Sequence, residues 1–262
     1  MPWNEFWKID HDQKVVRLSG NSVEARRDAI DGVLDKAKDQ AIFKVLNKWT
    51  GERFPVFGPE RELIVDLERA AATLFGIVTY GVHLVVYREE EAGELSIWLA
   101  RRSAQKVLHP NKLGVTVGGS LRAGETPSEC VIREAQEEAS LPVDVVSAAI
   151  KSVGSLSYVT SSETKSTSGG EAGLIRPEIQ YLYEMKVNED VVPTPFDNEA
   201  SDISLYSVEE IQKSLFSGDW TPANACIMLD FFIRHGLITY ETEENYNQIL
   251  TRLHRPLGIQ SA

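Results

Sequence analysis

One segment constrains the fold of this chain more than any other: GGSLRAGETPSECVIREAQEEASL, from Gly118 to Leu141. Its glycines predict a flexible loop. Thr126, Pro127 and Glu129 then mark the start of a helix, because threonine caps a helix, proline suits its first turn and the glutamate completes a capping box. The segment therefore predicts a loop that leads into a helix.

The predicted helix carries carboxylates on one side. At about 100° per residue, Glu134, Glu137 and Glu138 fall within an arc of roughly 100°. Like charges four residues apart destabilise a helix, whereas a bound cation would turn the repulsion into coordination. Hard oxygen ligands suit Mg²⁺ or Mn²⁺. The alternative is a solvated acidic face, which EAQEE alone would favour. A different arc carries residues that can pack on a sheet, namely Ile132, Ala135 and Ala139.

The net charge of the chain limits the kinds of molecule that it is expected to bind. The 262 residues allow one large domain, or a catalytic domain with a smaller appendage. A formal net charge of −12 argues against a nucleic-acid binder, which usually carries a basic face. Clustered carboxylates can instead bind cations that receive a phosphate. The negative net charge is therefore compatible with a small phosphorylated molecule as the partner.

The sequence also indicates a cellular setting. Its apolar runs are far shorter than the roughly 18 residues of a membrane span, and MPWNEFWKID does not read as a secretory signal. Two cysteines, Cys130 and Cys226, are too few for a disulfide framework, so reduced thiols are expected. These features predict a cytoplasmic protein with no membrane partner.

Periodicity predicts an amino-terminal module followed by a β-rich domain. Residues 22–48 and 60–76 have apolar residues at helical spacing, and Gly76 is expected to end the second helix. We place the boundary near residue 75, which gives a smaller α+β module over 1–75 and a catalytic α/β domain over 76–262. Strands are predicted within residues 77–87, 95–102, 112–119, 145–159, 177–187 and 202–206. A loop is predicted over 161–173, and helices around 222–235 and 241–254, with a further helix capped by Ser207 and Glu210.

The segment from Gly118 resembles the Nudix box, G-x5-E-x7-R-E-U-x-E-E-x-G-U, in which U is a bulky apolar residue. Ala135 is a small occupant of an apolar position. Ser140 stands where the pattern has a glycine that usually ends the helix in a left-handed conformation. This departure bears on loop geometry and removes no acid. The matching residues are Gly119, Glu125, Arg133, Glu134, Glu137, Glu138 and Leu141.

The resemblance implies a Nudix α/β/α sandwich with a mixed sheet, and an enzyme that hydrolyses a diphosphate linkage with Mg²⁺ or Mn²⁺. Arg133 would orient a neighbouring glutamate, and Glu125 would support the loop. Glu137 is the first choice for the general base and Glu134 the second. The implied metal ligands are Glu134, Glu137, Glu138 and the carbonyl of Gly118.

Residues outside the box supply further candidates. A further acid is common in Nudix enzymes, and Glu199 and Glu178 are candidates for it. Arg101, Arg102 and Lys106 follow a strand shortly before the box, where they would meet substrate phosphates. The alternative for each of these five residues is an ordinary solvated charge.

The resemblance extends from about residue 40 onward to one Nudix subgroup. The stretches KWTGERFPVFG, FGIVTYGVHL, WLARRS, PEIQYLYEM and NYNQILTRLHRPL resemble Nudix proteins related to the part fused to fungal thiamin pyrophosphokinase. The subgroup implies hydrolysis of oxothiamin or oxythiamin diphosphate to the monophosphate. Aromatic residues that would stack on such rings, unless they are core residues, are Trp49, Tyr80, Trp98, Tyr158 and Tyr183.

Other functions of the same fold stay open. A Nudix hydrolase of a nucleotide sugar or dinucleotide would release two phosphorylated products. A Nudix-fold module that only binds its ligand is disfavoured by the complete glutamate set. An isomerase of the isopentenyl diphosphate type needs a catalytic cysteine in a strand, and neither Cys130 nor Cys226 is so placed. A homodimer is expected because many Nudix proteins pair.

Overall fold

The computed structural model of the chain describes residues 1–106, 109–162 and 171–258. The loop predicted over residues 161–173 falls largely outside these described residues. Within them, we find no helix with both the length and the apolar character needed to cross a membrane.

The amino-terminal part is a small α+β assembly. Ser22 caps helix α1, whose buried residues Ile30 and Leu34 pack in one core with Val65 and Leu67. The helix ends earlier than predicted, and Ala41 has a φ of 50°, which turns the chain away from the helix axis. The elements are β1 (Trp7–Asp10), β2 (Val15–Leu18), α1 (Val23–Asp39), a 3-10 turn (Lys44–Lys48), β3 (Arg53–Phe57) and β4 (Leu63–Glu68).

The helix predicted over residues 60–76 is wrong in its first half. Residues Leu63–Glu68 form strand β4, which pairs antiparallel with β3 through Phe54–Leu67 and Val56–Val65. Leu63 and Leu67 are four residues apart, a spacing that suits a helix face and one face of a strand equally. Pairing with β3 makes this segment a strand rather than a helix. A 3-10 turn (Arg69–Ala71) and a short helix α2 (Ala72–Phe75) follow, and Gly76 ends α2 with a left-handed φ of 61°, as predicted.

A mixed sheet forms the centre of the remaining chain. Its order is β11-β6-β5-β10-β9, with β7 beside β6 and β8 beside β5. Strands β5 and β10 run parallel, and the other described neighbours run antiparallel. The strands are β5 (Thr79–Glu89), β6 (Leu95–Arg102), β7 (Leu113–Val115), β8 (Val117–Ser120), β9 (Lys151–Ser161), β10 (Ile175–Lys186) and β11 (Ala200–Ser207).

Helices cover both faces of this sheet. Val82 and Leu84 of β5 pack in a core with Val131 and Ala135, whereas Val85 shares a second core with Phe231. Because successive side chains of β5 point to opposite faces of the sheet, the strand contributes to two separate cores. The predicted α/β/α sandwich with a mixed sheet is confirmed. The helices are α3 (Pro127–Ala139), α4 (Val143–Ala149), α5 (Val208–Phe216), α6 (Pro222–Arg234) and α7 (Tyr246–Leu253).

Two boundaries in this part differ from the sequence prediction. Residues 145–149, expected as the start of a strand, belong to helix α4 (Val143–Ala149), and β9 begins at Lys151. Pro142 at the N-cap suits a helix start, and Val146 is fully buried. The last helix covers only Tyr246–Leu253 of the predicted 241–254. The boundary near residue 75 stays a prediction.

Candidate active site

The box begins on β8 and continues into α3. Thr126 Oγ1 accepts a hydrogen bond from the Glu129 amide (3.3 Å), and Glu129 Oε2 accepts one from the Thr126 amide (2.8 Å), so the predicted capping box is present. Ala135 and Ala139 are fully buried, as the apolar arc predicted. The helix ends at Ser140, whose φ of 54° is the left-handed conformation expected of the missing glycine.

Arg133 lies at the centre of the acidic residues. Its Nε and Nη2 donate to the two carboxylate oxygens of Glu125 at 2.7 and 3.0 Å. Its Nη1 donates to Glu134 Oε1 (2.8 Å) and to Glu137 Oε2 (3.0 Å). Burial alone would lower the pKa of Arg133, but Glu125 and Glu134 raise it above its ordinary value. One cation therefore orients three of the box carboxylates.

Glu134 is packed under the glycine of the box. A Cβ added to Gly119 would lie 2.1 Å from Glu134 Cδ, so a larger residue at this position would displace the carboxylate. The Glu134 side chain is only 14% exposed. Burial raises the pKa of Glu134, and the charge and hydrogen bond of Arg133 lower it in part.

Glu138 is the most deeply placed acid of the helix. Its Oε2 accepts a hydrogen bond from the Gly118 amide at 3.0 Å, so the amide of Gly118, rather than its carbonyl, makes this contact. Burial raises the pKa of Glu138 well above its ordinary value, and the negative charges of Glu134, Glu199 and Asp197 raise it further. Carboxylates from α3 and from the segment before β11 therefore lie close enough for their negative charges to repel one another.

The two candidates for a further acid lie in different surroundings. Glu199 lines the same cleft as Glu138 and forms an ion pair with Lys106. Glu178 lies on β10, where it accepts from Gln180 Nε2 at 3.4 Å and faces Arg176 at 3.6 Å. The side chain of Glu178 interacts with residues of its own strand and with Tyr158.

A cleft that is open to solvent lies beside Glu138. Of the three basic candidates, Arg102 lines the cleft, and Lys106 reaches its rim through Glu199. Arg101 instead bonds to Asp219 at 3.2 Å and to the Asn111 carbonyl at 2.8 Å. The lining residues are His83, Ala100, Arg102, Gly114, Val115, Thr116, Gly118, Glu138, Glu199, Ala200 and Asn224.

Two cleft residues were not expected from the sequence. His83 stands over Gly118, and among the described residues its Nδ1 has no hydrogen-bond partner. Burial lowers the pKa of His83 to about 4, so the ring is neutral at pH 7. Asn224, at the start of α6, accepts from the Val115 amide at 2.9 Å. The single signal for His83 was a polar residue inside the apolar strand YGVHLVV.

Arg122 lies in the box loop, the segment 121–126 between β8 and α3, and was also not predicted as a site residue. Its charge lowers the pKa of Glu134, and its Nη2 donates to Glu52 of the amino-terminal module at 3.1 Å. It falls at one of the five variable positions between Gly119 and Glu125, so the box pattern itself gave no reason to single it out.

The aromatic candidates lie mostly in cores. Tyr80 and Tyr183 are 4% and 6% exposed, and Trp98 packs against the same core as these two. Trp49 packs in the amino-terminal core, where Lys38 Nζ lies 4.4 Å from its ring centre. Tyr158 contacts Gln180 Nε2 at 3.3 Å. The core alternative therefore describes these side chains better than a shared stacking surface.

The acids can be tested against a divalent metal. In the part of the chain that the structure describes, no three or more His, Cys, Asp or Glu side chains converge closely enough to ligate an ion as they stand. Two of the box acids, Glu134 and Glu137, are instead paired with Arg133. Glu137 is 47% exposed and can leave Arg133 without disturbing the core. Hard carboxylate oxygens beside the charge-crowded Glu138 have the donor chemistry that Mg²⁺ and Mn²⁺ prefer, so these residues fit such an ion.

Comparison with protein families divides the chain into two matched regions. The model described as NUDIX domain matches residues 79–227, more than half of the chain. The model described as Domain of unknown function (DUF4743) matches residues 2–79.

Similar proteins occur in fungi, plants and bacteria. Uncharacterized protein YJR142W of Saccharomyces cerevisiae is 32% identical over 258 residues, which cover 97% of this chain and 75% of that protein. Nudix hydrolase 20, chloroplastic, of Arabidopsis thaliana is 30% identical over 189 residues, which cover 72% of this chain and 47% of the plant protein. The chain thus spans about half the length of this plant relative. The crystal structure of DR0079 from Deinococcus radiodurans aligns with a TM-score of 0.47 and 23% identity, over 65% of this chain and 92% of that one.

Proposed function

The chain belongs to the Nudix hydrolase family, and from that premise we propose that it hydrolyses oxidised thiamin diphosphate to the monophosphate and inorganic phosphate. Oxothiamin and oxythiamin diphosphate are the substrates that the subgroup resemblance implies. The required metal is a divalent cation, Mg²⁺ or Mn²⁺.

The observation that carries the hydrolase assignment is the arrangement around Arg133. A single guanidinium holds Glu125, Glu134 and Glu137, while Glu138 lies beside Glu199 at the cleft. An acidic helix that was only solvated would expose these carboxylates. Here Glu134 and Glu125 are each only 14% exposed, which supports a built site.

Glu134, Glu137 and Glu138, with the carbonyl of Gly118, would hold the metal. When bound, the metal neutralises charge on the diphosphate and lowers the pKa of a coordinated water. Glu137 is our choice for the general base because it is the most exposed of the three and its carboxylate can accept a proton from a water molecule. Arg133 orients it, and Glu134 is the second choice.

The cleft residues would bind the substrate. Arg102 and Lys106 supply positive charge at the cleft and its rim, where they would contact the phosphates. Arg101 is the weakest of the three candidates, because it is engaged by Asp219. Glu199 is our choice for the further acid over Glu178, since its charge acts on Glu138.

The thiamin assignment is supported by the subgroup stretches in the sequence, several of which border the site. WLARRS ends at the cleft residue Arg102 and its neighbour Ser103, and FGIVTYGVHL contains His83. The predicted homodimer and the predicted cytoplasmic location stay predictions from the sequence.

A substrate panel tests the proposal. The purified chain is incubated with Mg²⁺ and, separately, thiamin diphosphate, oxythiamin diphosphate, oxothiamin diphosphate, ADP-ribose and NADH, and the products are separated by chromatography. We expect the oxidised thiamin diphosphates to be converted fastest, each to its monophosphate. Preference for ADP-ribose or NADH would keep the Nudix chemistry and overturn the thiamin substrate. Binding without turnover of any compound would overturn the enzyme assignment.

A further inference from the structure

The amino-terminal module contacts the box loop at two neighbouring residues. The amide of Ala123 donates to the carbonyl of Arg53 at 2.8 Å, and Arg122 Nη2 donates to Glu52 Oε1 at 3.1 Å. The preceding residue, Leu121, donates its amide to the Tyr80 carbonyl of β5 at 3.0 Å. The loop is therefore bonded to the sheet through Leu121 and to the amino-terminal module through Arg122 and Ala123.

The contact point on the module is itself fixed. The Arg53 guanidinium bonds to both Asp66 and Asp31, and Asp66 also pairs with Arg27 of α1. Burial raises the pKa of Asp66, but hydrogen bonds from Arg27 and Arg53 hold it below its ordinary value, so the carboxylate is charged at neutral pH. The backbone carbonyl that meets Ala123 thus belongs to a residue whose side chain is locked in place.

Glu52 forms the side-chain half of the contact. Its second oxygen pairs with Arg69 at 2.6 Å, so Glu52 bridges a module cation and a loop cation. Burial raises the pKa of Glu52, and Arg69 and Arg122 together hold it below its ordinary value. The bridge is therefore charged on both sides at neutral pH.

The loop residues held in this way contact the acids of the box. The Arg122 amide donates to Glu125 Oε2 at 3.2 Å, and Glu125 accepts two hydrogen bonds from Arg133. The charge of Arg122 also acts on Glu134.

We propose that Glu52 and Arg53 are positioning residues for the box loop, and that the amino-terminal module is thereby required for full metal affinity at the box. This inference rests on the proposed function in taking the box acids as metal ligands. In other metal sites, replacing a residue that supports the ligands from outside the ligand shell commonly lowers metal affinity or activity by roughly 10- to 100-fold. The matched domain of unknown function would then be part of the catalytic unit.

The first test is Mn²⁺ binding to the full chain without substrate, followed by electron paramagnetic resonance. For Glu52→Gln we expect a Kd about 10-fold higher than in the wild type, with an unchanged melting temperature. Glu5→Gln is the matched control, because Glu5 is an exposed residue of the same module and its replacement removes the same charge. Equal Mn²⁺ affinity in Glu52→Gln and wild type would overturn the inference.

A double-mutant cycle tests whether the ion pair carries the effect. If Glu52 acts through Arg122, the loss in the Glu52→Gln/Arg122→Gln variant will be smaller than the two single losses combined. Strict additivity would overturn the role of the pair. Arg69→Gln, which removes the other partner of Glu52, is expected to leave the Mn²⁺ Kd unchanged.

The outcomes separate this inference from the proposed function. A wild type that binds Mn²⁺ with Glu52-dependent affinity but hydrolyses no diphosphate would support the positioning role and overturn the proposed function. A wild type that hydrolyses a diphosphate, with equal Mn²⁺ affinity in Glu52→Gln and wild type, would support the proposed function and overturn the positioning role. Absence of Mn²⁺ binding to the wild type would overturn both.

Discussion

The guanidinium of Arg133 and the carboxylate of Glu125 face each other in a bidentate pair, with N–O distances of 2.7 and 3.0 Å. The pair closes the turn between the loop and helix α3. Because planar two-point pairing requires a guanidinium, it fixes both the loop and the direction in which Arg133 presents its remaining N–H group to Glu134 and Glu137.

Arg133→Lys is expected to keep the positive charge and lose this geometry. A lysine ammonium cannot pair with Glu125 at two points and also hold Glu134 and Glu137. We predict that kcat falls about 10- to 100-fold and that the Mn²⁺ Kd rises. Arg88→Lys, at an arginine that pairs with Glu90 outside the site, serves as the control. Wild-type kcat in Arg133→Lys would contradict the account.

Gly119→Ala tests the space under the box loop. The added methyl group would meet Glu134 at 2.1 Å from its Cδ, so the carboxylate must move. We predict a loss of kcat of about 10-fold or more, since misplacement by an ångström can cost that much. Gly32→Ala in α1 is the control, because its new Cβ meets only Asn4 at 3.5 Å. That variant is expected to gain about 1 kcal/mol of stability and to keep wild-type activity.

Ser140→Gly is expected to stabilise the protein without changing turnover. Ser140 has a φ of 54° at the end of α3, a conformation that costs a residue with a Cβ about 1 kcal/mol. Relief of this strain should raise the free energy of unfolding in urea by at most about 1 kcal/mol, because the larger chain entropy that glycine loses on folding offsets part of the gain. Ser140→Val is expected to lower it. A glycine variant no more stable than the valine variant would contradict this explanation of the departure from the box.

Most of this site was predictable because the box places its acids on consecutive helix turns. Helix periodicity and capping chemistry are local, so the sequence predicted the start of α3 and the separate arcs of Glu134 and Ala135. The alternation of side chains along a strand also distinguishes two of the basic candidates. Arg101 and Arg102 are neighbours on β6 and must point to opposite faces, so only one of them can line a given cleft.

The remaining features depend on partners distant in sequence. Leu63 and Leu67 fit a helix or a strand, and pairing with β3 decides the outcome. Glu199 and Glu178 are equal as isolated acids, and only the packing of β11 beside β6 brings one of them to Glu138. The contact of Glu52 with Arg122 spans 70 residues of chain, beyond any periodic pattern.

Glu184 is expected to make stability depend on acidic pH. It is buried at 7% exposure beside Arg234 and His235, whose Nε2 lies 3.0 Å from Glu184 Oε2. Burial raises the pKa of Glu184, but hydrogen bonds with His235 and Arg234 hold it below the ordinary value of 4.5. The folded pKa is therefore the lower one, so the stabilisation is complete above pH 4.5 and is lost as the pH falls through the folded pKa.

Replacement of Glu184 tests this assignment. Glu184→Gln should lower the free energy of unfolding at pH 7 by about 2 kcal/mol, because it removes one of the two buried carboxylates that pair with Arg234, the other being Asp230. It should also flatten the pH dependence of that free energy as the pH falls below 4.5. Urea unfolding across this pH range measures both effects, with the exposed Glu189→Gln as control. An unchanged slope in Glu184→Gln would exclude Glu184 as the titrating group.

The central claim is that the box carboxylates bind a divalent metal and hydrolyse a diphosphate. Its most direct test is the release of inorganic phosphate from oxothiamin diphosphate as Mg²⁺ is titrated, in wild type, in Glu137→Gln and in Glu244→Gln, an exposed residue outside the site. We predict saturable, Mg²⁺-dependent phosphate release in wild type and Glu244→Gln, and a loss of at least about 100-fold in Glu137→Gln. Phosphate release that is independent of Mg²⁺, or equal in Glu137→Gln and wild type, would contradict the account.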